Sequence, residues 1–179
     1  MLTPAMIALI LIENVSASLA TKLYARSRPR GIQVIHCLVD TNAIPPPTCK
    51  DTDRLVSVVG ARKSSGGEEP AELLEGGGDD DVTFTKRPGY ASALKSPSLN
   101  DFLQTKDIKS LILTGLSMSV CVLRITITAS DEKYVVTVIS DGCADPAEGV
   151  HDIIVGKVLN NRGYVATAAE FQEGFANEK

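Results

Sequence analysis

Short apolar runs recur along the chain, and stretches with a helical spacing of apolar residues separate them. A short continuous apolar run is typical of a strand that is covered on both faces of a sheet. The runs predict six strands: Met6–Ile12, Gly31–Asp40, Val82–Lys86, Ile108–Thr114, Tyr134–Ser140 and Tyr164–Phe171. We expect a tight turn to follow the fourth strand, beginning at Gly115.

Between the strands, apolar residues spaced by three and four positions predict amphipathic helices. These helices cover Ser16–Arg28, Ser98–Thr105, Ser119–Lys133 and Ala147–Gly163. Alternating strands and helices are typical of parallel sheets, in which the crossovers are right-handed. The sequence therefore predicts an α/β fold: a single three-layer α/β/α domain over residues 1–179, with a six-stranded, mostly parallel, Rossmann-like sheet.

The alternation stops between residues 41 and 81. This segment is rich in Pro, Gly and charged residues, and only Leu55–Ala61 and Ala71–Leu74 offer apolar anchors. A segment of this length without regular structure is unusual in a compact domain unless it has a function. Two interpretations stay open: a lid or oligomer contact, or a surface excursion without a role.

The composition is ordinary for a globular protein. Of the 179 residues, 44% are hydrophobic and 22% are charged, which suits one domain with one substantial core. The net charge is −4 and no basic cluster is present, so we expect no nucleic-acid partner. The apolar run Ala5–Ile12 is too short to span a bilayer, so we expect no membrane association either.

The same run also fits a signal peptide over residues 1–17 with Val15–Ala17 as the cleavage site, which would make the protein secreted. No Lys or Arg precedes the run, and we therefore favour a strand and a cytoplasmic protein. The four cysteines are Cys37, Cys49, Cys121 and Cys143. They form no CxxC pair and have no zinc-like spacing with His, so we expect reduced thiols, no metal and no other cofactor.

Three groups of complementary chemistry follow predicted strands: Glu13 after the first, Lys86 at the end of the third and Cys121 after the fourth. Ligands of parallel sheets bind beyond the carboxyl ends of the strands. Cys121 falls in the first turn of a predicted helix, where N–H groups and the helix dipole favour a thiolate. A carboxylate can accept the thiol proton, and an ammonium can stabilise the resulting charge. The alternative is a buried, inert Cys with ordinary surface charges nearby.

Several segments resemble the isochorismatase-like cysteine hydrolases, which include nicotinamidases and N-carbamoylsarcosine amidohydrolase. The resemblance covers nearly the whole chain, and its most specific part is the nucleophile segment. The segments are ALILIEN (Ala8–Asn14), VTFTKRPGYASAL (Val82–Leu94), LILTGLSMSVCVLRITITA (Leu111–Ala129), and the closing VTVISDGCAD and GYVATAAEF.

The resemblance implies a six-stranded parallel sheet and a catalytic triad. Cys121 would be the nucleophile, Lys86 its electrostatic partner, and Glu13 the general acid/base in the place of the family's Asp. A non-proline cis peptide would join Leu116 and Ser117. The backbone N–H groups of Ser117 and Cys121 would form the oxyanion hole.

The resemblance also bears on ligands and assembly. Residues Leu116, Met118 and Tyr90 would line the substrate pocket. The segment after the second strand has Asp40 but no His, so a nicotinamidase-type metal site is not expected. Family members are commonly dimers or tetramers, which implies a homo-oligomer.

A catalytic Cys favours attack on a carbonyl carbon, since family members that cleave vinyl ethers do not need the thiol. We therefore expect a metal-independent cysteine hydrolase that cleaves a small amide-like substrate through a thioester. Because Glu13 is one methylene longer than Asp, the carboxylate would move by more than about an ångström unless the backbone compensates, and such a misplacement can cost roughly a hundredfold in rate. Two alternatives are an isochorismatase-type vinyl-ether hydrolase and a degenerate member that binds a metabolite or protein partner without turnover. A flavodoxin- or receiver-like domain fits poorly, because the first strand has no phosphate-binding loop.

Overall fold

Six parallel strands form one sheet, which confirms the predicted fold class. The structure is a computed structural model that describes residues 6–12, 22–23, 27–64, 78 and 80–176. The strand order is β3-β2-β1-β4-β5-β6, with every neighbouring pair parallel. The strands are β1 (Ile7–Ile12), β2 (Gln33–Val39), β3 (Val82–Lys86), β4 (Ser110–Leu116), β5 (Val135–Ala144) and β6 (Tyr164–Ala166).

The central strand β1 is buried on both faces, which explains its unbroken apolar sequence. Ala8, Ile10 and Ile12 point into the larger hydrophobic cluster on one face of the sheet. Leu9 and Leu11 point into the smaller cluster on the other face. Residues between Ala8 and Ile12 are at most 1% exposed, so β1 is the axis on which both cores are built.

The described helices lie between the strands and after the last one. The predicted helix over Ser16–Arg28 lies largely outside the described residues. The α-helices are α1 (Thr52–Ser64), α2 (Leu99–Thr105), α3 (Leu123–Asp131), α4 (Val150–Ile153) and α5 (Ala168–Ala176). A π-helical turn, Met118–Val122, leads directly into α3, and π and 3-10 turns extend α4 to Asn161. Short 3-10 turns cover Arg28–Arg30 and Ala93–Lys95. Among the residues described, no helix is both long and apolar enough to cross a bilayer.

Helix α1 corrects the expectation that residues 41–81 lack regular structure. It spans thirteen residues, yet only Val59 is buried, and Val56 and Val58 are 49% and 45% exposed. Its apolar residues are spread around the helix instead of forming one stripe, so the sequence shows no helical period there. The roles of lid or oligomer contact stay predictions.

The end of this segment is fastened to the body of the domain by Asp81. The carboxylate accepts hydrogen bonds from both Nε and Nη2 of Arg28, with the Nε distance at 3.2 Å. One residue earlier, the Asp80 carbonyl accepts a hydrogen bond from Gln33 Nε2 at 2.7 Å. These contacts tie the start of β3 to the turn that precedes β2.

The predicted strand over Tyr164–Phe171 is wrong beyond Ala166, because a helix begins at Ala168. Thr167 and Glu170 form a reciprocal cap, which is the signature of a helix start. Thr167 Oγ1 accepts the Glu170 N–H at 3.2 Å, and Glu170 Oε2 accepts the Thr167 N–H at 2.7 Å. The cap outweighs the apolar run in which it lies.

Candidate active site

The structure brings two of the three predicted catalytic residues into contact. Lys86 Nζ donates hydrogen bonds to Cys121 Sγ at 3.4 Å and to the Ala91 carbonyl at 3.3 Å. Lys86 is the last residue of the edge strand β3, and its long side chain extends to the turn after β4. The predicted acid, Glu13, lies outside the described residues.

Burial makes this contact chemically significant. The Lys86 side chain is 1% exposed and Cys121 is 8% exposed. An ammonium taken out of water is costly unless acceptors surround it. The sulfur of Cys121 and the carbonyl of Ala91 are such acceptors, so the site is built to hold a positive charge beside a thiol.

At Gly115, on the strand that leads to Cys121, the backbones of β4 and β1 lie unusually close together. Strand β4 continues through this residue to Leu116, so the predicted tight turn beginning at Gly115 is wrong. Gly115 has φ +140, and a Cβ there would lie 1.8 Å from the carbonyl oxygen of Ile12. The position requires glycine because β1 and β4 approach each other too closely for any side chain.

After β4 the backbone reverses into the helix that holds Cys121. The peptide bond between Leu116 and Ser117 is cis, as the resemblance implies. The Ser117 carbonyl then accepts the N–H groups of Val120, Cys121 and Val122 at 3.3, 3.0 and 3.2 Å. To bind an oxyanion, the Cys121 N–H must share this hydrogen bond or release it. The oxyanion hole of Ser117 and Cys121 stays a prediction.

The predicted substrate-lining residues have different environments. Met118 is fully buried in the main core, Leu116 is partly buried, and Tyr90 is 44% exposed. A pocket of about 190 Å³ lies at the helix that holds Cys121. Its lining residues are Ala91, Ser119, Val120, Leu123, Arg124 and Ile127. Substrate contact by the predicted trio stays a prediction.

Sequence reasoning missed Ser92, which ties the lysine segment to α3. Its hydroxyl pairs with the Thr128 hydroxyl at 2.8 Å and accepts the Leu94 N–H at 3.3 Å. These bonds fix the segment that includes Ala91, whose carbonyl is an acceptor for Lys86. The available signal was a serine at the start of a short helical turn.

Sequence reasoning also missed Asp145, which contacts the helical turn that holds Cys121. Its Oδ2 accepts the Ser119 N–H at 2.7 Å, and its Oδ1 accepts the Ala147 N–H at 3.1 Å. Burial opposes ionisation, but the hydrogen bonds from Ser119 and Ala147 and the nearby His151 together lower the pKa of Asp145. The sequence signal was an Asp-Pro pair directly after an apolar strand, a pattern that favours an Asx turn.

Cys143 lies near the same turn, but its chemistry differs. It pairs with Gly115 across β4 and β5. Burial raises the pKa of the Cys143 thiol to about 12, although a backbone hydrogen bond at Gly115 opposes the shift. Cys143 is therefore a protonated, inert thiol at neutral pH. In the described part of the chain, no group of three or more His, Cys, Asp and Glu side chains is placed to hold a metal ion.

A comparison with protein families matches residues 13–170 to the isochorismatase domain. The chain belongs to the isochorismatase family. The match spans the strand ends and turns on which the site is built, from the position of Glu13 to the cap at Glu170. A comparison with the curated proteins gives no match.

Solved structures with the same fold include several hydrolases. An isochorismatase family protein from Burkholderia thailandensis has a TM-score of 0.76 at 19% identity, over 98% of both chains. A cysteine hydrolase from Pseudomonas syringae has a TM-score of 0.74 at 19% identity, over 96% of this chain and 93% of its own. The MAR1 ribonuclease from Caenorhabditis elegans has a TM-score of 0.71 at 17% identity, over 97% of this chain and 82% of its own. At these identities the structures support the fold, and the family match identifies the chain as an isochorismatase-like hydrolase.

Proposed function

We propose that this isochorismatase-like protein is a cysteine hydrolase that cleaves the C–N bond of a small amide-like substrate. The observation that carries the proposal is the hydrogen bond between Lys86 Nζ and Cys121 Sγ, which is 3.4 Å long and buried. An adjacent cation favours the thiolate, which is the nucleophilic form of cysteine.

The reaction begins when the carboxylate of Glu13 takes the thiol proton of Cys121. The thiolate attacks the carbonyl carbon, and the carbonyl oxygen becomes an oxyanion that the N–H groups of Ser117 and Cys121 stabilise. The C–N bond then breaks, and the amine leaves with the proton from Glu13. The acyl group remains on sulfur as a thioester.

Water completes the cycle. Glu13 accepts a proton from the water that attacks the thioester carbon, and the C–S bond breaks to release the carboxylic acid and the Cys121 thiolate. The protonated Glu13 then returns its proton to the sulfur, which restores the starting thiol and carboxylate. The ammonium of Lys86 stabilises negative charge on the sulfur at both ends of the cycle. No metal is needed, because the thiolate supplies the nucleophile.

A substrate panel tests the proposal. Small amides, ureido compounds and isochorismate are offered to the wild type, Cys121→Ala and, as a control for the partly exposed thiol, Cys49→Ala. We expect an amide or ureido compound to be hydrolysed by the wild type and Cys49→Ala but not by Cys121→Ala. Acid quenching during turnover should leave the acyl mass on the peptide that contains Cys121.

Other outcomes identify the alternatives. Isochorismate cleavage that survives Cys121→Ala would identify a vinyl-ether hydrolase. Ligand binding without turnover would identify a degenerate, binding member. A short RNA is included because one structural relative is named a ribonuclease, and we expect no cleavage since the net charge of −4 disfavours phosphate binding.

A further inference from the structure

We propose that Asp145 is a positioning residue that holds the nucleophile helix in register with Lys86. The inference rests on the proposed role of Cys121 as the nucleophile. Its central observation is the hydrogen bond from the Ser119 N–H to Asp145 Oδ2, at 2.7 Å. Ser119 lies two residues before Cys121, in the same helical turn.

An irregularity in the pairing of β4 with β5 positions Asp145 beside the Ser119 N–H. Leu113 pairs with Val138, but Gly115 pairs with Cys143, so several residues of β5 bulge out between the two pairs. The pairing then continues to Leu116 and Ala144. Asp145 follows the last residue of β5 and therefore lies beside the turn that begins at Ser117.

The bulge has its own hydrogen bonds. Thr114 Oγ1 donates to the Gly142 carbonyl at 2.7 Å, and Ser140 Oγ donates to the Ala166 carbonyl at 3.3 Å. His151 Nε2 donates to the Ser140 carbonyl at 3.0 Å, and Asp141 Oδ1 accepts the Ala168 N–H at 2.8 Å. The bulged residues of β5 that precede Asp145 are therefore hydrogen-bonded to β4, to β6, and to the helices α4 and α5.

The nucleophile helix needs an acceptor at this point. The first N–H groups of a helix have no partner inside it, and Ser119 is among them. Asp145 supplies that acceptor from the position directly after β5, so it fixes the helix start relative to the sheet. Without it, the turn that includes Cys121 loses its tie to β5, and the sulfur can move away from Lys86.

The charge and the hydrogen bond of Asp145 have opposite effects on the thiol. A nearby negative charge disfavours a thiolate, whereas correct placement of Cys121 beside Lys86 favours it. Charged groups near this turn include Lys86 at the sulfur, Asp145 at Ser119, His151 beside Asp145, and Arg124, which lines the same pocket as Ser119. Removing the charge alone and removing the acceptor therefore give opposite signs.

The test measures iodoacetamide alkylation of Cys121 against pH, with mass spectrometry to locate the label, in the Cys49→Ala background. Variants are Asp145→Ala, which removes the acceptor, and Asp145→Asn, which keeps an acceptor oxygen without the charge. Glu148→Gln is the matched control, an exposed carboxylate in the same loop. With a substrate in hand, kcat and KM are measured as well.

We expect Asp145→Ala to move the pH midpoint of alkylation upward and to lower kcat on the order of a hundredfold, with little change in KM. Asp145→Asn should move the midpoint slightly downward, because only the negative charge is lost. Both Asp145→Asn and Glu148→Gln should keep kcat within about threefold of the wild type, since a misplaced nucleophile is what costs rate. If Asp145→Ala does not fold, Asp145→Ser provides a shorter acceptor and should give an intermediate upward shift.

Two results would overturn the inference: a downward shift of the midpoint in both Asp145 variants, or an unchanged midpoint in Asp145→Ala. Failure of the proposed function looks different. In that case the wild-type Cys121 itself reacts like an ordinary thiol, with a rate that still rises steeply near about pH 8.5.

Discussion

The carbonyl oxygen of Ile12 and the α-carbon of Gly115 lie so close that a Cβ on residue 115 would be 1.8 Å from the oxygen. Ile12 ends β1, and Gly115 is its register partner near the end of β4. Glu13 follows the first residue and the nucleophile turn follows the second. The close approach therefore holds the strand end that precedes the proposed acid in sequence against the strand that leads to the proposed nucleophile.

Replacing Gly115 by alanine should damage both stability and the site. The new methyl group collides with backbone atoms and not with a flexible side chain, and φ +140 is unfavourable for alanine. We expect a loss of about 3 kcal/mol or more in the free energy of unfolding, measured by urea titration. Gly156→Ala, where a Cβ meets nothing within 4 Å, is the control and should change stability little. Equal stability in both variants would contradict the constriction at Gly115.

Replacing Lys86 by methionine should separate reactivity from stability. Methionine keeps much of the buried volume but removes the donor to Cys121 Sγ and the Ala91 carbonyl. We expect the alkylation rate of Cys121 at neutral pH to fall by about tenfold or more, because the thiolate loses its cation. The free energy of unfolding should fall by no more than about 1–3 kcal/mol, the cost of leaving the Ala91 carbonyl without its donor, so the folded variant can still be assayed. Lys95→Met, on an exposed residue of the same segment, should leave the rate unchanged.

The ion pair of Arg28 and Asp81 should contribute to stability. The Asp81 side chain is 11% exposed and accepts two hydrogen bonds from Arg28, so the pair is better shielded than a surface salt bridge. We expect Asp81→Asn to lower the free energy of unfolding by about 2 kcal/mol, in the range found for hydrogen bonds to charged groups. Asp80→Asn is the matched control, because Gln33 contacts only the main-chain carbonyl of Asp80. A similar loss of stability in both variants would contradict a specific contribution of the Arg28–Asp81 ion pair.

His151 should make stability depend on pH. The hydrogen bond to Asp152 raises the pKa of His151 above its ordinary value of 6.5; burial opposes this, and the Ser140 carbonyl adds to it. Because the folded pKa is the higher one, the contribution is complete below about pH 6.5 and is lost as pH rises through the folded pKa. The gap in unfolding free energy between the wild type and His151→Gln should be larger at about pH 5.5 than at about pH 8.5. Asp152→Asn removes the main cause, so it should flatten the dependence.

Much of the architecture could be predicted from the sequence because the relevant signals are local. Strand β3 was predicted with its observed bounds, Val82–Lys86. The apolar run of β1 has no polar alternate positions, which indicates a strand covered on both faces. Since parallel strands place their carboxyl ends along one edge, the meeting of Lys86 and Cys121 also followed from the order of elements.

Competing local signals account for two errors. At the C-terminus, the apolar stretch from Tyr164 suggests a strand, while Thr167 and Glu170 form a capping box. The hydrogen bonds of the cap decided the structure. In α1 the apolar residues form no stripe. The spacing of apolar residues between Thr52 and Ser64 therefore predicts neither a strand nor a helix.

The sequence by itself determined the six strands, their parallel arrangement, and the position of a lysine and a cysteine at the carboxyl ends of the strands. Only the tertiary structure decided that β4 passes through Gly115 and that a bulge in β5 carries Asp145 to the Ser119 N–H. The physical reason is the range of the contacts. Hydrophobic period and helix caps act between near neighbours, whereas the approach of Ile12 to Gly115 and of Asp145 to Ser119 joins residues that meet only when the sheet has formed.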